Sequence, residues 1–458
     1  MRAAQAGWFA AAIAAALIAP AFADPLPRLY RVEHYDVRIS LDPAAGRLAG
    51  DAVIRFESVT ENLVSLDLDA GGFTVSSVEE AGKPDYFERQ GEHLIVVLNA
   101  PANPGEPRAL EIHYQAARSK GVEITAAGAS AGYFAGHWMP ANDRIENPAA
   151  LALTIAAPAA WKTAASGVLV SEHTEGGHAV TEWSVDGPPQ PPFLYAFASG
   201  PFEERKAVIR QTGAPAVTLR ILGGVDVLVQ TKAALEFFAA STGRAYPRDS
   251  YTQVFASGQT GQEAVGLTLL PESYAKNLAA KPQDLWLLAH ELAHQWYGIG
   301  IPIQSWSDFW LSEGLATYLA DAFLERQYGR PRYETEIGHS RSIYEDLKAK
   351  GKDRPLSFHD WTTPDQAGGS LPYHKGAAFL ALLRTTLGDG LFWNNLKAYT
   401  RDNWGKRVTS EDFQKAMEKG PVGKPKQREV SKLFDAWVFG EASVKAPGVR
   451  RRSDLEYH

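Results

Sequence analysis

The sequence predicts an α+β protein in which a β-rich, sandwich-like N-terminal domain precedes a mostly helical C-terminal domain. From residue 29 to about residue 204, apolar and polar residues alternate in short runs separated by Gly and Pro, which is typical of strands. Beyond about residue 205, most apolar residues recur at helical spacing. A chain of 458 residues is also too long for one ordinary core, so two or three domains are expected.

Each half contains segments that carry its pattern clearly. The N-terminal half includes the alternating runs YDVRISLD, EHLIVVLNAP and RALEIHYQ. The C-terminal half keeps two strand-like runs, AVTLRILGG and TQVFASG, among helical runs such as SDFWLSEGLATYLADAFLERQYG and GAAFLALLRTTLG. Thr409 to Asp412 have the composition of a helix N-terminus with capping residues. We therefore expect a β-rich domain at residues 24–204 and a second domain with a helical tail at residues 205–458.

The N-terminus has the features of a secretion signal at residues 1–23. Arg2 precedes an apolar stretch from Trp8 to Ala19, and a proline and a small-x-small cleavage site follow. A membrane anchor is less favoured, because the apolar stretch is shorter than the roughly 20 residues that span a bilayer. The sequence thus predicts a periplasmic or extracellular protein without stable membrane insertion once the signal is removed.

Composition narrows the classes of partner and cofactor. The net charge is −7 and acidic and basic residues are interspersed, which argues against nucleic acid or an anionic membrane surface as a partner. The chain has no cysteine, so thiolate metal ligands, a cysteine nucleophile and disulfides are excluded. A bound metal must therefore be held by His, Asp or Glu. The sequence does not indicate an oligomeric state.

Two of the 12 histidines stand four residues apart around a glutamate, in the segment LLAHELAHQWYG. On a helix, His290 and His294 lie one turn apart on the same face, with Cβ atoms roughly 5–6 Å apart, so both imidazoles can reach one ion. Glu291 lies beside the open coordination position, where it could polarise a bound water. This H-E-x-x-H pattern is typical of zinc hydrolases. The alternative is a pair of histidines that are merely solvated or packed.

A third candidate ligand follows on the next predicted helix, which begins near Ser307. Glu313 comes after His294 with 18 intervening residues. Two antiparallel helices joined by a short loop can place this carboxylate opposite the histidines, giving a His₂Glu site with water in the fourth position. An ordinary surface glutamate is the alternative, but Trp310 and Leu315 make this helix look buried.

The segments HELAHQWYG and FWLSEGLATY resemble those of the gluzincin zinc aminopeptidases, the family of aminopeptidase N and leukotriene hydrolase. The resemblance implies a thermolysin-like zinc metallopeptidase domain with one Zn²⁺ bound by His290, His294 and Glu313. It also implies that Glu291 is the general base and proton shuttle. The chain resembles a short form of the family, without the large C-terminal helical domain that covers the cleft in many relatives.

Two further segments extend the resemblance. LPYHKGAAFLALL is similar to the family's Y-x-K-G-A segment, which implies that Tyr373 donates a hydrogen bond to the oxyanion. TGQEAVGLTLL resembles the family's G-A-M-E-N-x-G-L segment, which implies that Glu263 binds the free α-amine of the substrate. Without the resemblance, Tyr373 is an aromatic residue near a helix start and Glu263 a polar residue on a strand edge.

The sequence departs from the family pattern at several positions. Ala264 and Gln262 replace the asparagine and the methionine around the amine-binding glutamate. Ser312 replaces the asparagine before the third ligand, and Ala320 stands where many members carry a glutamate that supports a zinc ligand, with Asp321 next to it. These changes place amine recognition and the support of the zinc ligands in question.

The sequence therefore predicts an exported zinc metallopeptidase that removes N-terminal residues from peptides. One alternative is a zinc endopeptidase or amide hydrolase without a strict need for a free amine, which the weakened segment around Glu263 favours. Another is a catalytically silent peptide-binding module, which the intact Glu291, Tyr373 and ligand set disfavour.

Overall fold

A computed structural model of the chain describes residues 28–185, 187–358, 369–419 and 423–440. The predicted secretion signal at residues 1–23 lies outside these ranges. None of the helices in the described ranges combines the length and the apolarity that crossing a bilayer requires.

Three sheets make up the N-terminal half of the fold. An eight-stranded mixed sheet has the order β13-β14-β11-β1-β2-β8-β4-β5, beside a three-stranded sheet β3-β7-β6 and a four-stranded sheet β12-β15-β10-β9. Along β1, buried and exposed residues alternate, as the period-two pattern of its sequence predicts. The strands are β1 (Tyr30–Asp42), β2 (Arg47–Ser58), β3 (Leu63–Asp69), β4 (Phe73–Glu80), β5 (Lys83–Pro84), β6 (Tyr86–Gln90), β7 (His93–Ala102), β8 (Arg108–Ala117), β9 (Val122–Thr125), β10 (Gly128–Ala131), β11 (Ala150–Pro158), β12 (Lys162–Ala165), β13 (Val168–Glu175), β14 (His178–Ser184) and β15 (Phe197–Gly200).

The C-terminal half combines one five-stranded sheet with helices, so the predicted α+β class is confirmed. The sheet has the order β16-β17-β18-β20-β19, in which only the first and last pairs are antiparallel. Its strands are β16 (Glu204–Ile209), β17 (Val217–Leu222), β18 (Ser250–Ala256), β19 (Gln262–Ala264) and β20 (Leu267–Pro271). The α-helices in the described ranges are α1 (Leu228–Thr242), α2 (Glu272–Ala280), α3 (Trp286–Ala293), α4 (Trp310–Tyr328), α5 (Arg330–Ala349), α6 (Leu371–Leu387), α7 (Asp389–Asn403), α8 (Ser410–Met417) and α9 (Lys424–Phe434). The predicted boundary between residues 204 and 205 falls at the start of β16.

The helices that follow the sheet differ in detail from the sequence prediction. α3 ends at Ala293, so His294 is its C-terminal cap, although φ of −59° and ψ of −22° keep the backbone helical there. The predicted helix start near Ser307 is a single 3₁₀ turn, and α4 proper begins at Trp310. The helical backbone at His294 is what preserves the one-turn spacing of the two histidines.

The capping sequence before α8 forms as predicted. The side chain of Thr409 accepts a hydrogen bond from the backbone amide of Asp412 at 3.4 Å, and the Asp412 carboxylate accepts one from the backbone amide of Thr409 at 3.2 Å. This reciprocal pair satisfies two amides that a helix leaves without intrahelical partners.

Candidate active site

Three ligand atoms from α3 and α4 face one another in the buried centre of the C-terminal half. His290 Nε2 and His294 Nε2 are 3.2 Å apart, and Glu313 Oε2 lies 3.3 Å from the first and 3.4 Å from the second. All three side chains are at most 5% exposed. The structure thus brings together the two halves of the sequence motif across the loop between the helices.

This triangle has the dimensions of a tetrahedral zinc site. Ligand atoms about 2.0–2.1 Å from a tetrahedral Zn²⁺ lie roughly 3.3–3.4 Å from one another. Glu313 Oε2 is buried and has no hydrogen-bond partner among the described residues. Two imidazoles and one carboxylate are also the donor set of a catalytic zinc site with an open fourth position. The residues present therefore fit Zn²⁺.

The two histidines are held differently at the ring nitrogen that faces away from the triangle. His294 Nδ1 lies 3.1 Å from the backbone carbonyl oxygen of Tyr297 and 3.1 Å from Ser312 Oγ. Nδ1 of His290 lies 3.4 Å from Thr317 Oγ1, at the limit of a hydrogen bond. Ser312, where the family resemblance implied an asparagine, thus contacts a ligand histidine.

Glu291 lies next to the triangle without belonging to it. One of its oxygens, Oε2, is buried and has no hydrogen-bond partner in the described part of the chain. Gly261 leaves the space beside the other oxygen open, because a Cβ atom there would lie 2.9 Å from Glu291 Oε1. Gly261 also has φ of +122°, which favours glycine. A carboxylate with a free oxygen and room beside it can accept a proton from a water molecule.

Glu263, on the edge strand β19, lies beside Glu291 and His294. Ligand atoms of Glu263, Glu291 and His294 all lie within 4.8 Å of one another, and all three residues are buried. The turn after β19 is fixed by Gln295, whose side-chain amide donates to the carbonyl oxygen of Ala264 at 2.9 Å and accepts from the amide of Gly266 at 3.1 Å. Gln295 directly follows the second histidine, so it ties the strand that carries Glu263 to the helix that carries the metal ligands.

Tyr373 approaches the triangle from the first turn of α6. Its ring lies 5.9 Å from that of His290, with 25° between the ring planes, and 6.2 Å from that of Phe309. Two residues later, buried Lys375 donates to Asp353 Oδ1 at 2.7 Å and to the carbonyl oxygen of Arg354 at 2.5 Å. These bonds fix the beginning of α6 and therefore the position of the phenol.

Two glycines let α4 and α6 approach closely at the level of the site. A Cβ atom on Gly376 would lie 2.8 Å from Gly314 Cα, and one on Gly314 would lie 3.0 Å from the carbonyl oxygen of Pro372. Gly314 follows the third ligand, Glu313, and Gly376 lies three residues after Tyr373. The crossing of these two helices is what brings the phenol within reach of the ligand triangle.

The acidic groups of the site perturb one another and the histidines. Burial raises the pKa of Glu263 to about 7 and raises that of Glu291 well above its usual range. Burial alone would lower the pKa of His294, but the carboxylates around it, with Glu313 first, raise it to about 10. For Glu313, the two histidines outweigh burial and hold its pKa at about 2. Three carboxyl groups around one point make the site suited to cations.

Tyr373 remains a neutral hydrogen-bond donor in this environment. Burial raises the pKa of its phenol well above the usual range, and the carboxylate of Glu313 raises it further. Ionisation of the phenol is therefore suppressed at any pH at which an enzyme would normally act.

The family of this domain follows from comparison with known proteins. Residues 228–437, which contain the whole ligand triangle and Tyr373, match the family model described as the peptidase family M1 domain. These residues belong to peptidase family M1. The predicted gluzincin family and its zinc cofactor are confirmed by this match together with the His₂Glu donor set.

Relatives of the M1 domain are aminopeptidases from distant organisms. Aminopeptidase N of Rattus norvegicus is 29% identical over 233 residues, which are 45% of this chain and 23% of the rat protein. Probable aminopeptidase 2 of Sulfurisphaera tokodaii is 27% identical over 263 residues, which are 54% of this chain and 32% of that protein. The match thus covers about a quarter to a third of the length of these relatives.

Solved structures share the fold over nearly the whole chain. An M1 zinc metallopeptidase from Deinococcus radiodurans superposes with a TM-score of 0.75 at 24% identity, over 92% of this chain and 97% of that one. A variant of that enzyme was crystallised with a Tyr-Ser-Ala substrate. Another structure, described as a two-domain M1 zinc metallopeptidase variant, holds L-tryptophan. The β-rich half followed by the M1 domain is therefore a shared architecture.

The structure brings together the site residues that the sequence predicts, but sequence reasoning missed the residues that position them. Gln295 could have been noticed as a polar residue directly after the second histidine, although its partners are 29 and 31 residues away. Trp286 stands four residues before His290, a spacing at which helical side chains meet. For Thr317 no signal in the sequence indicated its contact with His290.

Proposed function

We propose that this protein is a zinc aminopeptidase that hydrolyses the N-terminal residue from peptides. The observation that carries the proposal is the buried carboxylate of Glu263, whose ligand atom lies within 4.8 Å of those of Glu291 and His294. A negative group at that distance from the catalytic centre suits the ammonium group of a peptide whose first bond is to be cleaved. The aminopeptidases among the relatives, and the Tyr-Ser-Ala complex of the Deinococcus enzyme, support the same substrate class.

In the proposed reaction, Glu291 moves the protons. His290, His294 and Glu313 would hold Zn²⁺, which when bound would supply Lewis acidity for a water molecule of lowered pKa and for the scissile carbonyl. Glu291, with one oxygen free of partners, takes the proton of the attacking water and delivers it to the leaving amine. The carboxylate is well suited to this, because burial raises its pKa toward that of the groups with which it exchanges the proton.

Tyr373 stabilises the negative charge that develops on the scissile carbonyl oxygen. Its ring lies alongside the ligand His290, 5.9 Å away, so the phenol is on the rim of the ligand triangle. Because its pKa is raised, the phenol keeps its proton and can donate a hydrogen bond as charge develops.

Glu263 sets the register of the substrate. Its carboxylate would hold the α-ammonium group, and the short distance to Glu291 allows only one residue between that group and the bond under attack. Ionisation of Glu263, whose pKa burial raises to about 7, would be favoured by the arriving positive charge.

We also propose that the protein is exported to the periplasm or the medium. The pattern of residues 1–23 supports this, as described above. Sequencing the N-terminus of the protein recovered from outside the cytoplasm is expected to give Asp24 as its first residue. Recovery of the chain only from the cytoplasm, with Met1 retained, would contradict the proposal.

The aminopeptidase assignment is tested by matched peptides with free and N-acetylated termini. The unmodified enzyme is expected to cleave the first bond of the free peptides and to leave their acetylated forms almost uncut. In Glu263→Gln, kcat/KM for the free peptides should fall about 10- to 150-fold, because a charge-assisted hydrogen bond contributes about 1.5–3 kcal/mol. The discrimination between the two peptide forms should largely vanish, while zinc content stays at one per chain.

Glu272→Gln provides the matched control for that experiment. Glu272 is exposed at the start of α2 and forms an exposed ion pair with Lys276 at 3.2 Å, so its loss should not change either rate. Equal cleavage of free and acetylated peptides by the unmodified enzyme would show that the site is that of an endopeptidase or an amide hydrolase. No cleavage of any peptide by the zinc-loaded protein would favour a silent binding module.

A further inference from the structure

The hydrogen bonding of His290 restrains the orientation of its ring only weakly. Histidines that bind a metal ordinarily donate their other ring nitrogen to a carboxylate, a backbone carbonyl or a water, which fixes the orientation of the ring. His294 follows this pattern through Tyr297 and Ser312 at 3.1 Å. Within the described ranges, the hydrogen-bond partner of His290 Nδ1 is Thr317 Oγ1 at 3.4 Å, which is a weak restraint on a ring that must point at the metal.

A tryptophan lies flat against this imidazole. Trp286, one helical turn before His290, has its ring centroid 4.8 Å from that of the imidazole, with 19° between the planes. A stack this close leaves the imidazole little freedom to tilt. Trp286 is partly buried, whereas His290 is only 4% exposed.

The indole is itself fixed by a buried acid from the neighbouring helix. Trp286 Nε1 donates to Asp321 Oδ1 at 2.9 Å. Asp321, on α4, is 1% exposed, and its second oxygen has no hydrogen-bond partner in the described part of the chain. Burying a carboxyl group in this way is costly, and no step of the peptidase reaction uses it. Burial also raises the pKa of Asp321 well above its usual range.

We propose that Trp286 and Asp321 together position His290 for zinc binding. Asp321 holds the indole, and the indole holds the imidazole plane, so the restraint reaches the ligand through stacking. It connects α3, which carries two ligands, to α4, which carries the third. The proposal depends on zinc being bound at the triangle and is independent of which peptide bond is cleaved. Both residues are positioning residues, since neither touches the metal or the substrate.

The proposal is tested by measuring zinc affinity without substrate, in competition with a chelator of known affinity at fixed pH. Trp286→Leu and Asp321→Leu are each expected to weaken zinc binding about 10- to 100-fold, the range observed when outer partners of metal ligands are removed. The double variant should lose little more than either single variant, because the two residues act in series. Trp286→Phe, which keeps a ring but lacks the N–H group, should lie between the unmodified protein and Trp286→Leu.

Asp321→Asn is the conservative variant that separates positioning from simple core packing. Its side-chain carbonyl oxygen can still accept from the indole N–H group, so its zinc affinity should stay within about 3-fold of the unmodified protein. Trp161→Leu, at a partly buried tryptophan in the N-terminal half, controls for the loss of an indole in general and should leave zinc affinity unchanged.

Two results would overturn the proposal. One is unchanged zinc affinity in the folded Trp286→Leu or Trp286→Phe protein, which would show that the stacked indole only packs against His290 and does not position it. The other is a folded Asp321→Asn protein that binds zinc about 10-fold or more weakly than the unmodified protein, since the hydrogen bond to the indole would then not be what matters. If the leucine variants do not fold, the phenylalanine and asparagine variants still decide between these outcomes.

Discussion

Replacing Glu291 by glutamine is expected to remove peptide hydrolysis almost completely while leaving one zinc ion bound per chain. Glutamine keeps the shape of the side chain but cannot accept a proton from water, and a general base contributes roughly 10²- to 10⁴-fold to a rate. Zinc should remain because Glu291 lies outside the triangle of His290, His294 and Glu313. The measurement is kcat on a free peptide together with metal content by elemental analysis.

His294→Ala supplies the contrast for this experiment. It removes one corner of the triangle, whose Nε2 atom lies 3.2–3.4 Å from the other two ligand atoms, so both zinc and activity should be lost. Two results would contradict the assignment of Glu291 as the base. One is full activity in the Glu291→Gln protein, and the other is loss of its zinc, as expected for His294→Ala.

The ligand triangle could be predicted because its geometry is largely local. The one-turn spacing of His290 and His294 follows from helical geometry, and Glu313 lies at a fixed distance along the chain on the next helix. Even the early end of α3 at Ala293 does not disturb this, since the backbone at His294 stays helical. The tetrahedral coordination of Zn²⁺ further limits how two histidines and a glutamate can be placed around the ion.

The supports of the triangle could not be predicted, because they depend on contacts between distant segments. The amide of Gln295 binds backbone atoms of the β19–β20 turn, and Asp321 binds an indole 35 residues earlier in the chain. The approach of Gly314 to Gly376 likewise joins two helices whose sequences contain no local sign of the crossing. Such contacts follow from tertiary packing, and a periodic pattern in one segment carries no information about its partner.

The architecture of the N-terminal half shows the same limit. Alternation predicts that YDVRISLD is a strand with one buried face, and the structure confirms it. The parallel pairing of that strand with Ala150–Pro158, more than 100 residues later, has no counterpart in either local pattern. Strand existence is a local property, whereas sheet order depends on which buried faces meet.

Replacing Tyr373 by phenylalanine is expected to lower kcat by roughly 10²- to 10³-fold with little change in KM. This is the size of effect that follows the loss of one hydrogen-bond donor to a developing oxyanion. The hydroxyl acts mainly in the transition state, when charge appears on the carbonyl oxygen, so binding of the substrate should be nearly unaffected. The ring remains, and with it the contacts to His290 and Phe309, so zinc content and the unfolding midpoint should be preserved.

Tyr246→Phe is the matched control, because it removes from the same M1 domain a tyrosine hydroxyl that bonds a backbone carbonyl. The hydroxyl of Tyr246 donates to the carbonyl oxygen of Ser250 at 2.9 Å, so its loss should lower the free energy of unfolding by about 1 kcal/mol and leave kcat unchanged. For Tyr373→Phe the pattern should be reversed, with a large change in kcat and almost none in stability. A Tyr373→Phe protein with unchanged kcat and raised KM would show that the phenol binds substrate, and one with lowered stability and normal kcat would show that it only packs. The two variants thus distinguish a hydroxyl that acts on the reacting atoms from one that stabilises the fold.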